Sequence, residues 1–406
     1  MISASDALKI VKQSQFPTVT QDVPLENSLG YVLAEDITAD RQYPPFDRAM
    51  MDGVAIRSDG ESSQGKPRTR WALHGVQAAG MASITGDYDS SIAIEIMTGA
   101  SVGEAFDTII PYEDCIVSAE EIRLKSSSTY RPGQFIQRRG SDCKAGERLV
   151  GRGVKIGPEH LGLFATMGYT EVLVYTKPSV ALITTGDEVV AADRVPDAYQ
   201  IRGSHRYALG AALRAAGFEL NGQFHVKDSF EEVFEVTRKA INDYDFVLIC
   251  GGVSKGRFDY VPEVLSDLGV NRCFHGVFQK PGKPLFFGKT ADTAVFGLPG
   301  NPNSAYFSVQ AFVLPALRNF AKQAVRRPLL ATLKTGVLGH DRLQRWLPVQ
   351  LSYEDQRVYA EVLTLNSSGD NVSLARSQGL LPLPPGKNFM AGKQVEVFPY
   401  QDLYAY

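Results

Sequence analysis

The chain has 406 residues, which at about 150 residues per domain predicts two to four domains. Hydrophobic residues make up 44% and charged residues 21%, a balance that excludes wholesale disorder. Lys plus Arg number 42 against 45 Asp plus Glu, a formal net charge of −3, which argues against a dedicated nucleic-acid binder.

The start, MISASDALKIVKQSQF, has no basic stretch followed by an apolar core, so no secretion signal is expected. Ser3 or Ser5 instead caps a short amphipathic helix with Ala7, Leu8, Ile10 and Val11 on its apolar side. From about Leu25 to Thr176, short apolar stretches such as SIAIEIM and DTIIPY alternate with turn clusters, which predicts mostly β structure. One helix interrupts it, with Pro158 in its first turn and Gly168 at its stop.

From Lys177 to about Lys322 the rhythm becomes strand, loop, helix. SVALITT runs into Gly186-Asp187-Glu188, and a helix around Tyr207–Ala216 stops at Gly217. Ser229-Phe230-Glu231-Glu232 opens the next helix as a capping box. DFVLIC ends in Gly251-Gly252, and TAVFGL ends in Pro299-Gly300, after which Ser304 caps a long apolar helix to Leu317. Apolar strands alternating with helices imply a parallel sheet covered on both faces. Beyond a linker at Ala321–Arg327, TLKTGVL, WLPVQLSY, RVYAEVL and QVEVFPY read as a small β domain. The expected fold class is therefore multidomain α/β plus β. It has a mainly β N-terminal region (1–176), a central doubly wound parallel sheet (177–322) and a small C-terminal β domain (328–406).

In an open parallel sheet, ligands bind beyond the carboxyl ends of the strands. Three loops there, TTGDE (184–188), GGVSKGRFD (251–259) and LPGNPNS (298–304), should emerge on one edge. Their glycines let backbone N–H groups approach an anion. KPGKP (280–284) adds two lysines around a rigid turn. Each segment alone has a plainer reading: KPGKP as a type II turn with solvated lysines, Glu188 as a surface carboxylate, Asp259 as the cap of the next helix. Together they describe a pocket for a phosphorylated or oxyanionic ligand. In the N-terminal half, PPFDRAMMDG (44–53), MTGA (97–100) and RRGSD (138–142) are polar loops at strand ends, each on its own a hairpin turn. No run approaches the ~20 apolar residues of a membrane span. Cys115, Cys143, Cys250 and Cys273 form no CxxC pair, and the six histidines form no HExxH. A cytosolic chain with reduced thiols is expected, and any metal should be Mg²⁺ held by carboxylates and a substrate phosphate.

PPFDRAMMDGVA, IMTGA, RRGSD, TTGDE, GGVSKGRFD, KPGKP and GLPGNPNSA stand in the order found in the molybdopterin molybdenumtransferases, the MoeA and gephyrin E-domain family. The chain resembles that family over its whole length, SSGD (367–370) and AGKQVEVF (391–398) included. The resemblance implies a cytoplasmic homodimer of elongated, four-part subunits, with a central sheet of the molybdopterin-binding type and a β lid subdomain inserted at about 45–140. It implies a molybdenumtransferase that inserts molybdate into adenylylated molybdopterin with Mg²⁺ and releases AMP. The site would lie at the dimer interface, and other molybdenum cofactor biosynthesis proteins would be further partners. Matched residue by residue, Glu188, Asp228 and Asp259 take the acidic positions, with Glu188 and Asp259 as Mg²⁺ ligands. Asp52, Thr98 and Asp142 match positions that reach across the dimer, and Asp52 and Asp142 join the catalytic set. Thr185, Gly186, Gly252, Ser254, Lys280, Lys283, Pro299, Gly300, Pro302 and Ser304 fall at the ligand-binding positions.

The chain departs from the family pattern at three places. IRGSH replaces IRDSN, so Gly203 stands for an aspartate and His205 for an asparagine. Gly276 stands where lysine is common, and Arg48-Ala49 replaces Asn-Ser. Gly203 and Gly276 point to an alternative, a diverged paralogue that binds molybdopterin or a protein partner as carrier or scaffold without turnover.

Overall fold

The computed structural model describes residues 1–58, 67–254, 256–257 and 259–401. Of the GGVSKGRFD loop, Lys255 and Phe258 lie outside the described residues. The chain divides into two units, one of Met1–Val23, Ser28–Ala34 and Leu173–Tyr406, the other of Pro24–Asn27 and Glu35–Val172.

The centre of the first unit is a six-stranded sheet. Its strands and helices follow in chain order as β1 (Val180–Thr185), α1 (His205–Ala215), β2 (Gly222–Val226), α2 (Phe230–Asp243), β3 (Phe246–Cys250) and α3 (Val261–Asp267). They continue as β4 (Asn271–His275), β5 (Val277–Lys280), β6 (Phe286–Lys289), β7 (Ala294–Leu298), α4 (Pro302–Ser308) and α5 (Leu314–Phe320). The sheet order is β2-β1-β3-β7-β6-β4. β2, β1, β3 and β7 run parallel, and β6 and β4 close the edge antiparallel. β1, β3 and β7 were legible as apolar runs; the mixed β2 (GQFHV) and the antiparallel edge were not.

Successive residues of a strand face opposite sides, and here both sides are apolar. Val180, Leu182, Phe246, Leu248 and Phe296 pack against α1, α4 and α5. Ala181, Ile183, Val247, Ile249 and Val295 pack against α2 and α3. The sheet is thus doubly wound, and each fully buried Val, Leu or Phe contributes about 1.5–3 kcal/mol. The N-terminal helix Ala4–Gln13, capped by Ser3 through the Asp6 N–H at 3.0 Å, buries Ala4, Ala7 and Val11 in the first of these cores.

Three helix starts differ from expectation. Ser229 accepts from the Glu232 N–H at 3.2 Å, but Glu232 turns to the Lys227 N–H at 3.0 Å, so only half of the capping box forms. Asn301, not Ser304, is the residue before α4, because Pro302 has the fixed φ suited to a first helical position. Ser304 is buried inside the helix, which continues through a π turn at Val309–Val313 to Phe320. Asp259 does not cap α3: its carboxylate accepts from the Gly256 N–H, and Tyr260 precedes the helix without a side-chain cap.

The C-terminal part consists of β8 (Leu329–Leu333), β9 (Gln344–Glu354), β10 (Arg357–Val362), α6 (Asn371–Ala375), β11 (Gly379–Leu383) and β12 (Gln394–Pro399). The order β9-β10-β8-β12-β11 returns from β11 to β9, a closed ring around Leu333, Val349, Leu381 and Val397. β5 leaves the central domain to pair with the start of β9. The second unit is mainly β, as expected. Its six-stranded sheet runs in the order 115–117, 121–124, 70–77, 92–96, 53–56, 108–111. No helix among the described residues is long and apolar enough to cross a membrane.

Candidate active site

β1, β3 and β7 are parallel neighbours, so their carboxyl ends share one edge of the sheet. A cleft of 1610 Å³ opens there. Its lining includes Thr185, Gly186 and Glu188 after β1, Asp228 after β2, and Gly252, Ser254 and Asp259 after β3. Lys280 and Lys283 after β5, with Pro299, Gly300, Pro302 and Ser304 after β7, complete the residues expected from this half of the chain. The loop after β3 depends on glycine. Gly251 has φ +101°, and a Cβ there would stand 2.6 Å from Thr185 Oγ1.

The cleft carries charge of both signs. Burial holds the Asp228 carboxyl above its ordinary range. A hydrogen bond from Thr185 opposes that shift, and the nearby Asp187, Glu188 and Asp259 add to it. The Asp228 N–H also donates to Asp187 Oδ1 at 3.4 Å, tying the first two loops together. Lys280 and Lys283 supply the positive side. Their turn contains a cis Lys280–Pro281 bond and Gly282 at φ +89°, and the two lysines are exposed where they line the cleft. Gln279 supports the turn: it is buried, and its Nε2 donates to the Gly282 carbonyl at 2.7 Å.

Asp52, Thr98 and Asp142 belong to the second unit, where the three N-terminal motifs converge. Arg48–Ala49 pairs with Ile136–Gln137, and the Gly99 N–H donates to the Ala49 carbonyl at 2.9 Å. The Thr98 N–H and hydroxyl both donate to Asp52 Oδ1 at 2.6 Å, and these bonds hold the Asp52 carboxyl below its usual range. Gln137 donates to both oxygens of Asp142 at 3.0 and 3.1 Å and accepts from Arg48 at 2.6 Å. Arg48, one of the departures, is thereby linked to Asp142 through one amide.

The other departures separate. Gly203 and His205 line the cleft, and Gly276 is not among its lining residues. Gly276 sits at φ +85°, and a Cβ would meet Met1 Cγ at 2.7 Å, so a lysine there would be strained and would displace Met1. The positive φ explains why glycine suits this position. Burial pushes the His205 imidazole below its ordinary range, opposed by a hydrogen bond to the Gly300 carbonyl. His205 Nε2 is buried without a partner among the described residues.

Sequence reasoning missed the wall that the C-terminal domain contributes. Arg345, Trp346, Ser367, Ser368 and Gly369 line the same cleft. The signal available was the SSGD turn cluster, whose place against the cleft depends on contacts from residues far away in the chain. Among the described residues, no group of three or more His, Cys, Asp or Glu is arranged to hold a metal ion. Glu188 and Asp259 offer two carboxylates. That suits Mg²⁺, which keeps several waters and takes the rest of its ligands from one or two carboxylates and substrate phosphates.

Three family models match along the chain: MoeA N-terminal region (domain I and II) at residues 2–168, probable molybdopterin binding domain at 181–319, and MoeA C-terminal region (domain IV) at 331–400. A molybdopterin molybdenumtransferase of Synechocystis sp. is 37% identical over 98% of this chain and 99% of its own length. Its namesake in Staphylococcus epidermidis is 30% identical over 98% and 95%. Among solved structures, a molybdopterin biosynthesis MoeA protein from Pyrococcus horikoshii matches with a TM-score of 0.82 and 30% identity, covering 99% of this chain and all of that one. The order of the loops, the doubly wound sheet with its β-rich flanks, and these full-length likenesses agree: the chain belongs to the MoeA family of molybdopterin molybdenumtransferases.

Proposed function

We propose that the cleft at the strand ends of the central sheet takes adenylylated molybdopterin and molybdate and inserts molybdenum with release of AMP. The observation that carries this reading is the two-signed cleft. Lys280 and Lys283 line it together with Glu188, Asp259 and Asp228, whose carboxyl is raised by burial first and by its acidic neighbours second. Both substrates are anions. Lysine ammonium groups, the Ser254 and Ser304 hydroxyls and the amides of the Gly251–Gly252 turn are donors suited to phosphate and oxyanion. Glu188 and Asp259 would hold Mg²⁺, which when bound supplies charge neutralisation at the phosphoanhydride that is broken. Asp228, its carboxyl raised by burial and by its acidic neighbours, is poised to accept a proton or a donor group from the ligand.

The second unit supports a homodimer. Its loops at 44–53, 97–100 and 138–142 gather Asp52, Thr98 and Asp142 beside the exposed Phe46, Met50, Met51 and Phe135. An exposed apolar cluster of this kind marks a contact surface. The cytosol is the compartment that fits reduced cysteines, all four of which are free.

One observation favours the alternative of a carrier without turnover: Gly203 lines the cleft and brings no carboxylate to it. The deciding experiment incubates purified protein with adenylylated molybdopterin, Mg²⁺ and molybdate. AMP release with cofactor formation is expected. Tight molybdopterin binding without AMP release would establish the carrier.

A further inference from the structure

We propose that Asn303 is a positioning residue for this reaction: it fixes the loop Ser367–Asp370, with the Ser367 and Ser368 hydroxyls, as part of the cleft wall. The inference rests on reading the cleft as an oxyanion site. In the first turn of α4, Pro302 and Ser304 line the cleft, whereas Asn303 between them is fully buried and reaches the C-terminal domain instead. Its backbone N–H donates to the Ser368 carbonyl at 3.1 Å, and its Nδ2 donates to the Asp370 carbonyl at 3.0 Å. One helical turn therefore contributes Pro302 and Ser304 to the cleft lining and holds Ser367 and Ser368, which line the same cleft, in place.

The loop is already stiff within itself. The Asp370 carboxylate accepts from the Asn366 N–H at 3.1 Å, the Ser373 N–H at 3.0 Å and the Ser373 hydroxyl at 2.7 Å. The Gly369 N–H donates to Ser367 Oγ at 3.2 Å. These bonds set the loop's shape, not its place. Leu365 and Leu374 pack on the central core, but apolar packing is non-directional and tolerates sliding. The two bonds from Asn303 are directional and fix the register of loop against helix.

Asn303 Oδ1 is buried with no partner among the described residues. An unsatisfied buried acceptor is unfavourable, and an apolar side chain of the same size would avoid it. A residue that served only to fill space would be better off without the amide. The Nδ2 donor is what the amide adds.

The test compares Asn303→Val and Asn303→Ala with the parent, all as full-length protein. Both variants keep the backbone N–H and lose Nδ2. The readouts are hydrogen exchange of the segment 364–375, molybdate binding by calorimetry, and the melting temperature. We expect exchange in that segment to rise by about tenfold while the rest of the C-terminal domain is unchanged, and molybdate affinity to fall by about tenfold. Unchanged exchange and affinity in either folded variant overturn the proposal. So does a lower melting temperature with exchange raised evenly throughout, which would be a purely structural role. A parent that binds no molybdate overturns the oxyanion reading instead, and the exchange data then decide by themselves whether Asn303 holds the loop.

Discussion

Gln279 and Trp346 are joined by a buried hydrogen bond in which indole Nε1 donates to the Gln279 Oε1 at 2.8 Å. The other end of the same amide donates to the Gly282 carbonyl at 2.7 Å. A tryptophan of the C-terminal β domain thus braces the turn that carries Lys280 and Lys283. Gln279→Leu removes the acceptor and the donor together and leaves two buried partners unsatisfied. We expect a loss of about 1–3 kcal/mol in denaturant unfolding, together with weaker molybdate binding, because the turn loses its brace. Lower stability with unchanged molybdate affinity would mean that the turn holds its shape without Gln279.

Lys280→Ala and Lys283→Ala should act on binding and spare the fold, since both side chains are exposed in the cleft. A charge-assisted hydrogen bond to an anion contributes about 1.5–3 kcal/mol, so each substitution should cost roughly tenfold or more in affinity for adenylylated molybdopterin. The melting temperature should stay near that of the parent. Affinity that matches the parent in both variants would return KPGKP to a plain turn with solvated lysines.

Asp228 gives a pH-dependent prediction. Its native carboxyl lies above the ordinary value because burial, with the charges of Asp187, Glu188 and Asp259, disfavours ionisation. A raised native pKa contributes stability that is fully present below the unfolded pKa and is lost as pH rises through the native pKa. At neutral pH the ionised side chain is therefore a net strain on the fold. Asp228→Asn should raise the melting temperature at pH 7, and the difference should shrink as the pH falls below the carboxylate range. The same variant should lose AMP release if Asp228 accepts a proton or a donor from the ligand. A melting temperature that drops at pH 7 would contradict the electrostatic reading.

What the sequence made legible follows from which interactions are local. VALITT, FVLIC and AVFGL read as strands because both of their faces are buried, and their shared direction puts TTGDE, GGVSKGRFD and LPGNPNS on one edge. The antiparallel edge did not stand out, since NRCFH and FFGK are short and mixed. The C-terminal wall was invisible for a different reason. Asn303 meets Asp370 across 67 positions, and Gln279 meets Trp346 across 67 as well. Helix caps failed where a neighbour competed: Pro302 set the start of α4 one residue after Asn301, and the Asp259 carboxylate went to the Gly256 N–H in its own loop. The bond from the MTGA loop to the MMDG loop was also illegible: Thr98 occupies one oxygen of Asp52 with two donors, across 46 positions.

The second unit carries the assembly prediction. Met50 and Phe135 are 53% and 37% exposed and adjacent, the Met50 N–H donating to the Phe135 carbonyl at 2.9 Å. Sedimentation at micromolar concentration should show twice the 44.4 kDa chain mass. Met50→Asp, which places a charge in the apolar cluster, should shift the species toward the monomer. A parent that sediments as a monomer would remove the homodimer from consideration.

Gly203 provides the sharpest test of turnover. It lines the cleft beside the loop that carries Glu188, and its N–H donates to the Val190 carbonyl at 2.9 Å. A glycine that merely eased a turn would be expected in the left-handed region, where aspartate would be strained. Gly203 is not in that region, and a Cβ would meet only Val189 Cγ1 at 3.1 Å and the Val190 carbonyl at 3.6 Å. A few tenths of an ångström from a valine methyl would accommodate the side chain. Replacing glycine where the backbone is compatible also restricts the unfolded chain, which offsets part of any cost. Gly203→Asp should therefore fold with little change in melting temperature. If Mg²⁺ sits between Glu188 and Asp259, a further carboxylate on the cleft wall should tighten Mg²⁺ and better neutralise the charge on the departing AMP. We expect a lower Mg²⁺ half-saturation and faster AMP release than in the parent, read from a steady-state Mg²⁺ titration. An unchanged or slower rate in the folded variant would show that the metal ligands of this protein do not extend to position 203. The parent's own rate would then be set by Glu188 and Asp259 with the substrate phosphates alone.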